Sequence, residues 1–307
     1  MQVLVILCAL VVAAWGQGST NTIVDYLTSS RYSYRTLVSL LQKAGLTDTL
    51  KGAGPFTLFA PNDRAFRNLD AAVLGSLQND TAKLTDVLKY HVVSGIHNAA
   101  DITVNELLLD SLQGSKIRMN DYLSVGGLVA QGYRVYLPAH VMSNGVVYQL
   151  NGVMQPPSGN VVDIVTNDGE LTTLLTAVKS AGLASFLQDQ HPITVFAPTD
   201  KAFADLGSDV VQALVTNPTL LASILKYHVI PGSLYKSGYH AASLHTFEEE
   251  DRIRLHRFIF SYEVDDGTLA GEISATNGVV HKIDKVLIPS SLADQVKALT
   301  SGTTASA

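Results

Sequence analysis

The sequence predicts two consecutive α+β domains of one fold, because three blocks of sequence occur twice in the same order. The members of the first two pairs lie 137 residues apart, and those of the third pair lie 133 residues apart. A repeat of this length is too long for a solenoid unit and has the size of a whole domain. The paired blocks are residues 57–66 with 194–203, 88–92 with 225–229, and 144–147 with 277–280.

Each first block predicts a strand that turns into a helix. Residues 57–59 and 194–196 are rich in β-forming side chains, and each run is soon followed by proline, Pro61 in the first copy. Because proline has no N–H to donate, it is expected to end the strand. Asn62 and Thr199 are then suited to cap the helix that follows.

Each second block predicts an amphipathic helix that ends in Tyr-His. Apolar residues and the histidine recur at the i, i+3, i+4 and i+7 positions of one helix face. This spacing places His91 and His228 on the apolar face, where we expect a buried imidazole that hydrogen-bonds the backbone; contact with a ligand is the alternative. The spaced residues are Leu84, Val87, Leu88 and His91, and Leu221, Ile224, Leu225 and His228.

Strands are expected in the remainder of each copy. Residues 116–120 and 252–256 alternate polar and apolar side chains, which predicts half-exposed strands. Asn-Gly pairs at 144–145 and 277–278 are hairpin-turn dipeptides, and they lead into closing strands predicted at 146–154 and 279–288. Helices followed by strands make each copy an α+β domain.

The N-terminal segment predicts secretion. Residues 3–14 form an apolar run too short to cross a bilayer and typical of a signal peptide, expected at 1–16; a buried N-terminal helix is the alternative. Cys8, the single cysteine, lies in this segment, so the mature chain is expected to contain no disulfide or thiolate site. Residues 300–307 lack a hydrophobic tail, and we expect neither a membrane span nor a lipid anchor.

Composition excludes two classes of protein. Hydrophobic residues make up 47% and charged residues 16% of the chain, which is the composition of a folded protein and not of a disordered one. The net charge is −6 and no Lys/Arg cluster is present, so a nucleic-acid partner is not expected.

The repeated blocks resemble those of the fasciclin domain family. The stretch Thr-x-Phe-Ala-Pro-x-Asp-x-Ala-Phe resembles its first conserved box, Leu-Lys-Tyr-His its Tyr-His motif, and Asn-Gly-Val-Val its second box. The predicted organisation is a signal peptide at 1–16, fasciclin-like domains at 21–157 and 160–292, and a polar C-terminal tail at 293–307.

The resemblance implies that each copy is a compact β-sandwich with flanking helices and that the protein acts in extracellular adhesion. Cell-surface receptors, integrins among them, or matrix components are the partners it implies, and self-association is left open. It also implies an adhesive role for Tyr90, His91, Tyr227 and His228. The chain lacks the Arg-Gly-Asp triplet and the cysteine-rich module of larger family members.

No catalytic or cofactor-binding motif is found in the sequence, and we expect a protein without enzymatic activity, cofactor or metal. The metal alternative is a site built from His240, His245 and one neighbour; the expectation is scattered surface imidazoles. Asn79 begins an Asn-Asp-Thr glycosylation acceptor, whereas proline blocks the counterpart at Asn217.

Two further functions are weighed against adhesion. A secreted carrier or carbohydrate- or small-ligand-binding module would be favoured by an apolar cavity between helices and sheet, and adhesion by a flat apolar patch with a polar rim. An enzyme would need a cleft with convergent titratable groups.

Overall fold

The computed structural model describes residues 20–102, 105–122, 127–189, 192–248, 251–258 and 261–301. The predicted signal peptide at 1–16 lies outside these ranges. The chain divides into two compact units, Met1–Pro156 and Pro157–Ala307. Within the described ranges, no helix combines the length and the apolar character needed to cross a bilayer.

Side-chain caps fix where several helices of the first unit begin. Thr22 and Asp25 form a capping box at the start of the first helix, since each side chain bonds the backbone N–H of the other residue. Asn62 and Asp80 cap later helices, as their sequence positions predict. The helices are α1 (Ile23–Ser29), α2 (Arg31–Lys43), α3 (Thr47–Lys51), α4 (Asp63–Arg67), α5 (Ala71–Asn79) and α6 (Thr81–Tyr90).

The first unit contains a seven-stranded sheet within its described residues, in the order β2-β1-β7-β6-β5-β4-β3. Strands β1 and β7 pair in parallel and the other neighbours pair antiparallel. A bridge between Val93 and Ser111 joins the two ends of this order, so the sheet curls almost into a barrel. The strands are β1 (Phe56–Pro61), β2 (Val92–Ser94), β3 (Leu107–Asp110), β4 (Lys116–Tyr122), β5 (Gly127–Ala130), β6 (Tyr133–Met142) and β7 (Gly145–Leu150).

The second unit repeats this topology, with strand order β10-β11-β12-β13-β14-β8-β9. Its helices are α7 (Val161–Asn167), α8 (Thr172–Ser180), α9 (Ala184–Asp189), α10 (Asp200–Leu206), α11 (Ser208–Val215), α12 (Pro218–Tyr227) and α13 (Ala293–Ser301). Its strands are β8 (Ile193–Pro198), β9 (Val229–Pro231), β10 (Ala242–His245), β11 (Arg252–Arg257), β12 (Tyr262–Val264), β13 (Gly267–Ala275) and β14 (Gly278–Ile283).

Each unit has two cores, one on either face of its sheet. Strand β7 supplies both in the first unit, because successive side chains of a strand point to opposite faces. Val147 packs against the helices, whereas Val146 and Tyr148 pack in the interior of the curled sheet. The predicted α+β class with two tandem domains is therefore confirmed, and the two layers of the predicted sandwich are parts of one curled sheet.

The structure differs from the sequence predictions at three places. The predicted polar tail contains helix α13, because the Val296 side chain packs in the helix-side core of the second unit. Strand β4 is not half-exposed, since Arg118 and Asn120 are buried by bonds to Glu106. The closing strands end at Leu150 and Ile283, earlier than predicted.

The Asn-Gly turns do more than reverse the chain. The Asn144 side chain accepts a hydrogen bond from Ile23 N at 2.9 Å and donates to Leu50 O at 2.8 Å, which fixes α1 and α3 against the sheet. Asn277 bonds the equivalent positions of the second unit. Gly145 is needed because a Cβ there would lie 2.0 Å from the carbonyl oxygen of Phe56.

Candidate functional site

The Tyr-His motif lies at the end of α6 in the first domain and of α12 in the second. The Tyr90 hydroxyl donates to Lys116 O at 2.9 Å, and the Tyr227 hydroxyl donates to the Asp265 carboxylate at 2.7 Å. Each tyrosine therefore links the end of its helix to the far side of the curled sheet.

His91 joins three further segments of the first domain. Its Nε2 accepts the backbone N–H of Met154 at 2.9 Å, so the proton of the neutral ring lies on Nδ1 and is donated to Val87 O at 2.8 Å. Its carbonyl oxygen accepts the N–H of Phe59 at 2.9 Å. The imidazole thus connects α6 to the segment that follows β7, and the backbone carbonyl connects the end of the helix to β1.

His228 makes the same three bonds in the second domain. The partners of its ring are Ile224 O at 2.8 Å and Leu287 N at 2.9 Å. Burial lowers the pKa of His91 and of His228 from 6.5 to about 4. Both rings are consequently neutral at physiological pH.

The four motif side chains are enclosed by their domains. None of Tyr90, His91, Tyr227 and His228 exposes more than 4% of its surface. For His91 and His228, the core position with backbone partners is the one that the helical spacing predicts. A partner could touch these side chains only after the surrounding domain had opened, so their geometry indicates a structural role.

An exposed apolar surface lies on β6 of the first domain. The register between β6 and β7 shifts between Tyr136 and His140, and this irregularity turns part of the strand outward. Tyr136 is 43% and Leu137 55% exposed, and Val141 is exposed as well. The Arg134 guanidinium lies 5.9 Å from the centre of the Tyr136 ring, which gives this apolar surface a cationic border. These residues are called the β6 patch below.

An open apolar cleft lies among the helices of the second domain. Its volume is about 230 Å³, and it is lined by residues of α8, α10, α11 and α12. Ala177 forms part of its wall, and the corresponding residue of the first domain is the larger Leu40, which is buried. The threonine hydroxyls at its border are engaged internally, that of Thr172 by Asp200 at 2.8 Å.

A polar depression of about 330 Å³ lies on the sheet of the second domain. Arg252, Arg254 and His256 of β11 line it together with Tyr227 and Ser290. Sequence reasoning predicted only a half-exposed strand here and missed these groups as a candidate site. These groups stand out as a candidate site when β11 is compared with β4, because the cationic side chains of β4 have acidic partners.

A second buried histidine distinguishes the domains. His281 Nε2 lies 2.7 Å from Leu234 O, at the place where the Tyr148 hydroxyl of the first domain donates to His97 O. Its Nδ1 lies 3.9 Å from Glu272. Burial lowers the pKa of His281 to about 4 and raises that of Glu272 to about 7, so each group is driven toward its neutral form and the contact is not a strong ion pair.

The other predicted sites lie on the surface. Asn79 is exposed at the last position of α5. His240 and His245 are exposed, and His245 lies against Arg252. Across the described part of the chain, no group of three or more metal-ligating side chains is found. His191, another histidine of the second copy, lies outside the described residues.

Known proteins are similar to this chain over most of its length. The pig (Sus scrofa) transforming growth factor-beta-induced protein ig-h3 is 27% identical over 275 residues, covering 89% of this chain and 39% of that protein. Human (Homo sapiens) periostin is 24% identical over 265 residues, covering 83% and 30%. A solved domain pair from the insect cell adhesion molecule fasciclin I covers 85% of this chain and 99% of that one, at 17% identity and a TM-score of 0.43.

The chain spans less than two fifths of the length of these two relatives. A family model described as the fasciclin domain matches residues 32–156 and, a second time, 169–289. Each match contains one strand-to-helix corner, one Tyr-His helix and one Asn-Gly turn with the geometry given above. The chain therefore belongs to the fasciclin domain family, with two copies of the domain in tandem.

Proposed function

We propose that this protein is secreted and acts as an extracellular adhesion or matrix-binding protein without catalytic activity. Its membership of the fasciclin family supports this role, and the observation that carries it is the β6 patch. An exposed aromatic and aliphatic surface with a cationic border has the composition of a protein interaction site. The partner is a cell-surface receptor, with an integrin as the first candidate, or a matrix protein.

Among the described residues, β13 of the second domain has no bulky counterpart of Tyr136, and this makes the proposal specific. Gly271 lies opposite Lys282 as Tyr136 lies opposite Gln149, and the residue before it is Ala270. Small residues offer little apolar area to a partner, so attachment through this surface should depend on the first domain. Tyrosine at the centre of such a surface is a frequent anchor of binding energy.

Attachment of cells to the immobilised full-length protein tests this proposal. We expect the variant Tyr136→Ala, Leu137→Asp to reduce attachment roughly tenfold, because it removes the anchor and places a charge in the patch. Leu108→Asp is the matched control, since Leu108 is an exposed apolar residue on another strand of the same domain. Blocking integrins or removing divalent cations should reduce attachment of the wild type if the receptor is an integrin. Unchanged attachment by the β6 variant would contradict the proposal.

The cleft among the helices of the second domain favours a second candidate function, that of a carrier for small apolar molecules. Its size suits a short alkyl or aromatic group. Ala177→Leu should fill it with the side chain that the first domain carries at this position. If hexanol or benzene shifts the amide resonances of α8 and α11 in the wild type and not in Ala177→Leu, the carrier function gains support; equal shifts in both would exclude this cleft.

A further inference from the structure

We propose that Arg252, Arg254 and His256 of the second domain form a binding site for a sulfated or carboxylated polysaccharide. This inference deepens the proposed function by naming a ligand class, and it rests on that function in placing the ligand outside the cell. The three side chains alternate along β11, project from one face of the sheet and are exposed. They line the depression of about 330 Å³ together with the carboxylates of Asp265 and Asp266 and the apolar Leu287 and Ile288.

In the first domain, the residues at the same strand positions bond acidic side chains of that domain. Lys116, the counterpart of Arg252, is paired with Asp110 at 2.7 Å. Arg118, the counterpart of Arg254, is paired with Glu106 at 2.7 Å and is buried. Asn120, the counterpart of His256, donates to the same Glu106 at 3.1 Å. Two acidic residues thus engage this face of β4.

The second domain has lost both of these acids and kept the cations. Sheet register identifies the exchange: Asp110 lies opposite Lys116, and His245 lies opposite Arg252. Glu106 directly precedes β3, and Ala241 directly precedes β10. An imidazole and a methyl group therefore stand where the first domain has two carboxylates.

The guanidinium groups have no carboxylate partner in the described part of the chain. Arg252 donates to the Ser243 carbonyl oxygen at 3.4 Å and contacts the His245 ring. The neighbouring carboxylates are engaged by other groups: Asp265 by the Tyr227 hydroxyl and by Arg254 N at 2.7 and 2.8 Å, Asp266 by Lys285 at 2.8 Å, and Asp251 by the Ser290 hydroxyl at 2.7 Å. As far as the described residues go, the two arginines are therefore available to an external anion.

The chemistry of the depression indicates an anionic polysaccharide. A guanidinium binds a sulfate or carboxylate through two parallel hydrogen bonds. Alternate residues of a strand are separated by about 6.6–6.8 Å, so Arg252 and Arg254 can meet two successive anionic groups of one extended chain. An acidic peptide would need apolar anchor pockets to bind specifically, and the side chains aimed into this depression are mainly polar.

Binding of the full-length protein to immobilised heparin, hyaluronan and poly-L-glutamate tests the site. We expect heparin or hyaluronan binding that weakens with salt and that falls roughly tenfold or more in Arg252→Ala, Arg254→Ala. Lys116→Ala is the matched control and should bind like the wild type, because Lys116 is occupied by Asp110. Equal binding by the double variant, or tighter binding of poly-L-glutamate than of either polysaccharide, would overturn the proposal.

A second variant tests the site while both arginines remain. Ala241→Glu, His245→Asp places in the second domain the acids that the first domain carries, and we expect it to lose polysaccharide binding to a similar extent. Full binding by this variant would contradict the proposal. Cell attachment is measured on the same proteins: absent attachment with intact binding of heparin or hyaluronan would refute the adhesive function and leave the site standing, whereas absent binding of both polysaccharides with intact attachment would refute the site alone.

Discussion

Replacing His91 by alanine separates a structural role of the Tyr-His motif from an adhesive one. The change removes the ring that bonds Val87 O and Met154 N, and both groups stay in the core. A buried polar group without a partner costs about 1–3 kcal/mol, so the two together cost about 2–6 kcal/mol. Because a domain is stable by only about 5–15 kcal/mol, the first domain would lose a large part of its stability.

Hydrogen exchange of the full-length protein, followed by mass spectrometry in increasing urea, measures this loss for each domain separately. The amide of Phe59, which donates to His91 O, should exchange much faster in His91→Ala, while amides of the second domain stay protected. Asp86→Ala is the control, since Asp86 is exposed on the same helix and should change stability by less than about 0.5 kcal/mol. If His91→Ala keeps its protection and still loses cell attachment, the imidazole contacts the receptor and our structural interpretation is wrong.

Four further predictions test other parts of the structure. Burial lowers the pKa of His91 and His228 from 6.5 to about 4, so the unfolded chain binds the proton first, and each histidine should remove about 3 kcal/mol of stability as pH falls from 6.5 to 4. Burial raises the pKa of Glu272 to about 7, so its protonation stabilises the folded second domain as pH falls below 7. Glu272→Gln removes this contribution and should make the second domain lose stability more steeply with acid, as measured by hydrogen exchange at pH 7 and 5. Asn144→Ala should cost about 2–4 kcal/mol in urea unfolding, because it frees Ile23 N and Leu50 O, whereas Ser143→Ala should cost little. Mass spectrometry of protein secreted from eukaryotic cells should find a single N-glycan, absent in Asn79→Gln; two N-glycans, or none, would contradict the prediction.

Local features of the fold could be predicted from the sequence, since short-range chemistry determines them. A cap needs a side-chain oxygen and a free N–H two or three residues further on, and Asn62 and Asp80 supply the oxygen within their own segments. The burial of His91 follows from the period of its helix. The Asn-Gly dipeptides marked the hairpins correctly, but the bonds of Asn144 to α1 and α3 could not be inferred, because those partners lie 121 and 94 residues away.

Long-range features of the fold could not be predicted from the sequence of one copy of the repeat. The sheet curls because Val93 meets Ser111, and no local pattern records that pairing. The burial of Arg118 depends on Glu106, which reaches it from a preceding segment. Arg254 is exposed because Ala241 occupies the position that Glu106 has in the first domain. The loops of the two copies differ in length, so this difference becomes apparent only when the sheet register aligns the copies.

The Tyr-His motif and its partners are alike in the two domains, whereas the two surfaces described above differ. The ring of His91 and that of His228 each have one partner at 2.8 Å and one at 2.9 Å, although loop lengths between the repeated blocks differ. Among the described residues, the β6 patch has no bulky counterpart in the second domain, and the arginines of β11, which have no carboxylate partner there, have ion-paired counterparts in the first. Substitutions in the motif should therefore act on stability in both domains, whereas substitutions at either surface should act on one binding activity. Two different weak surfaces carried by one chain can hold a matrix more strongly than either does alone, because the second contact forms at a high effective concentration.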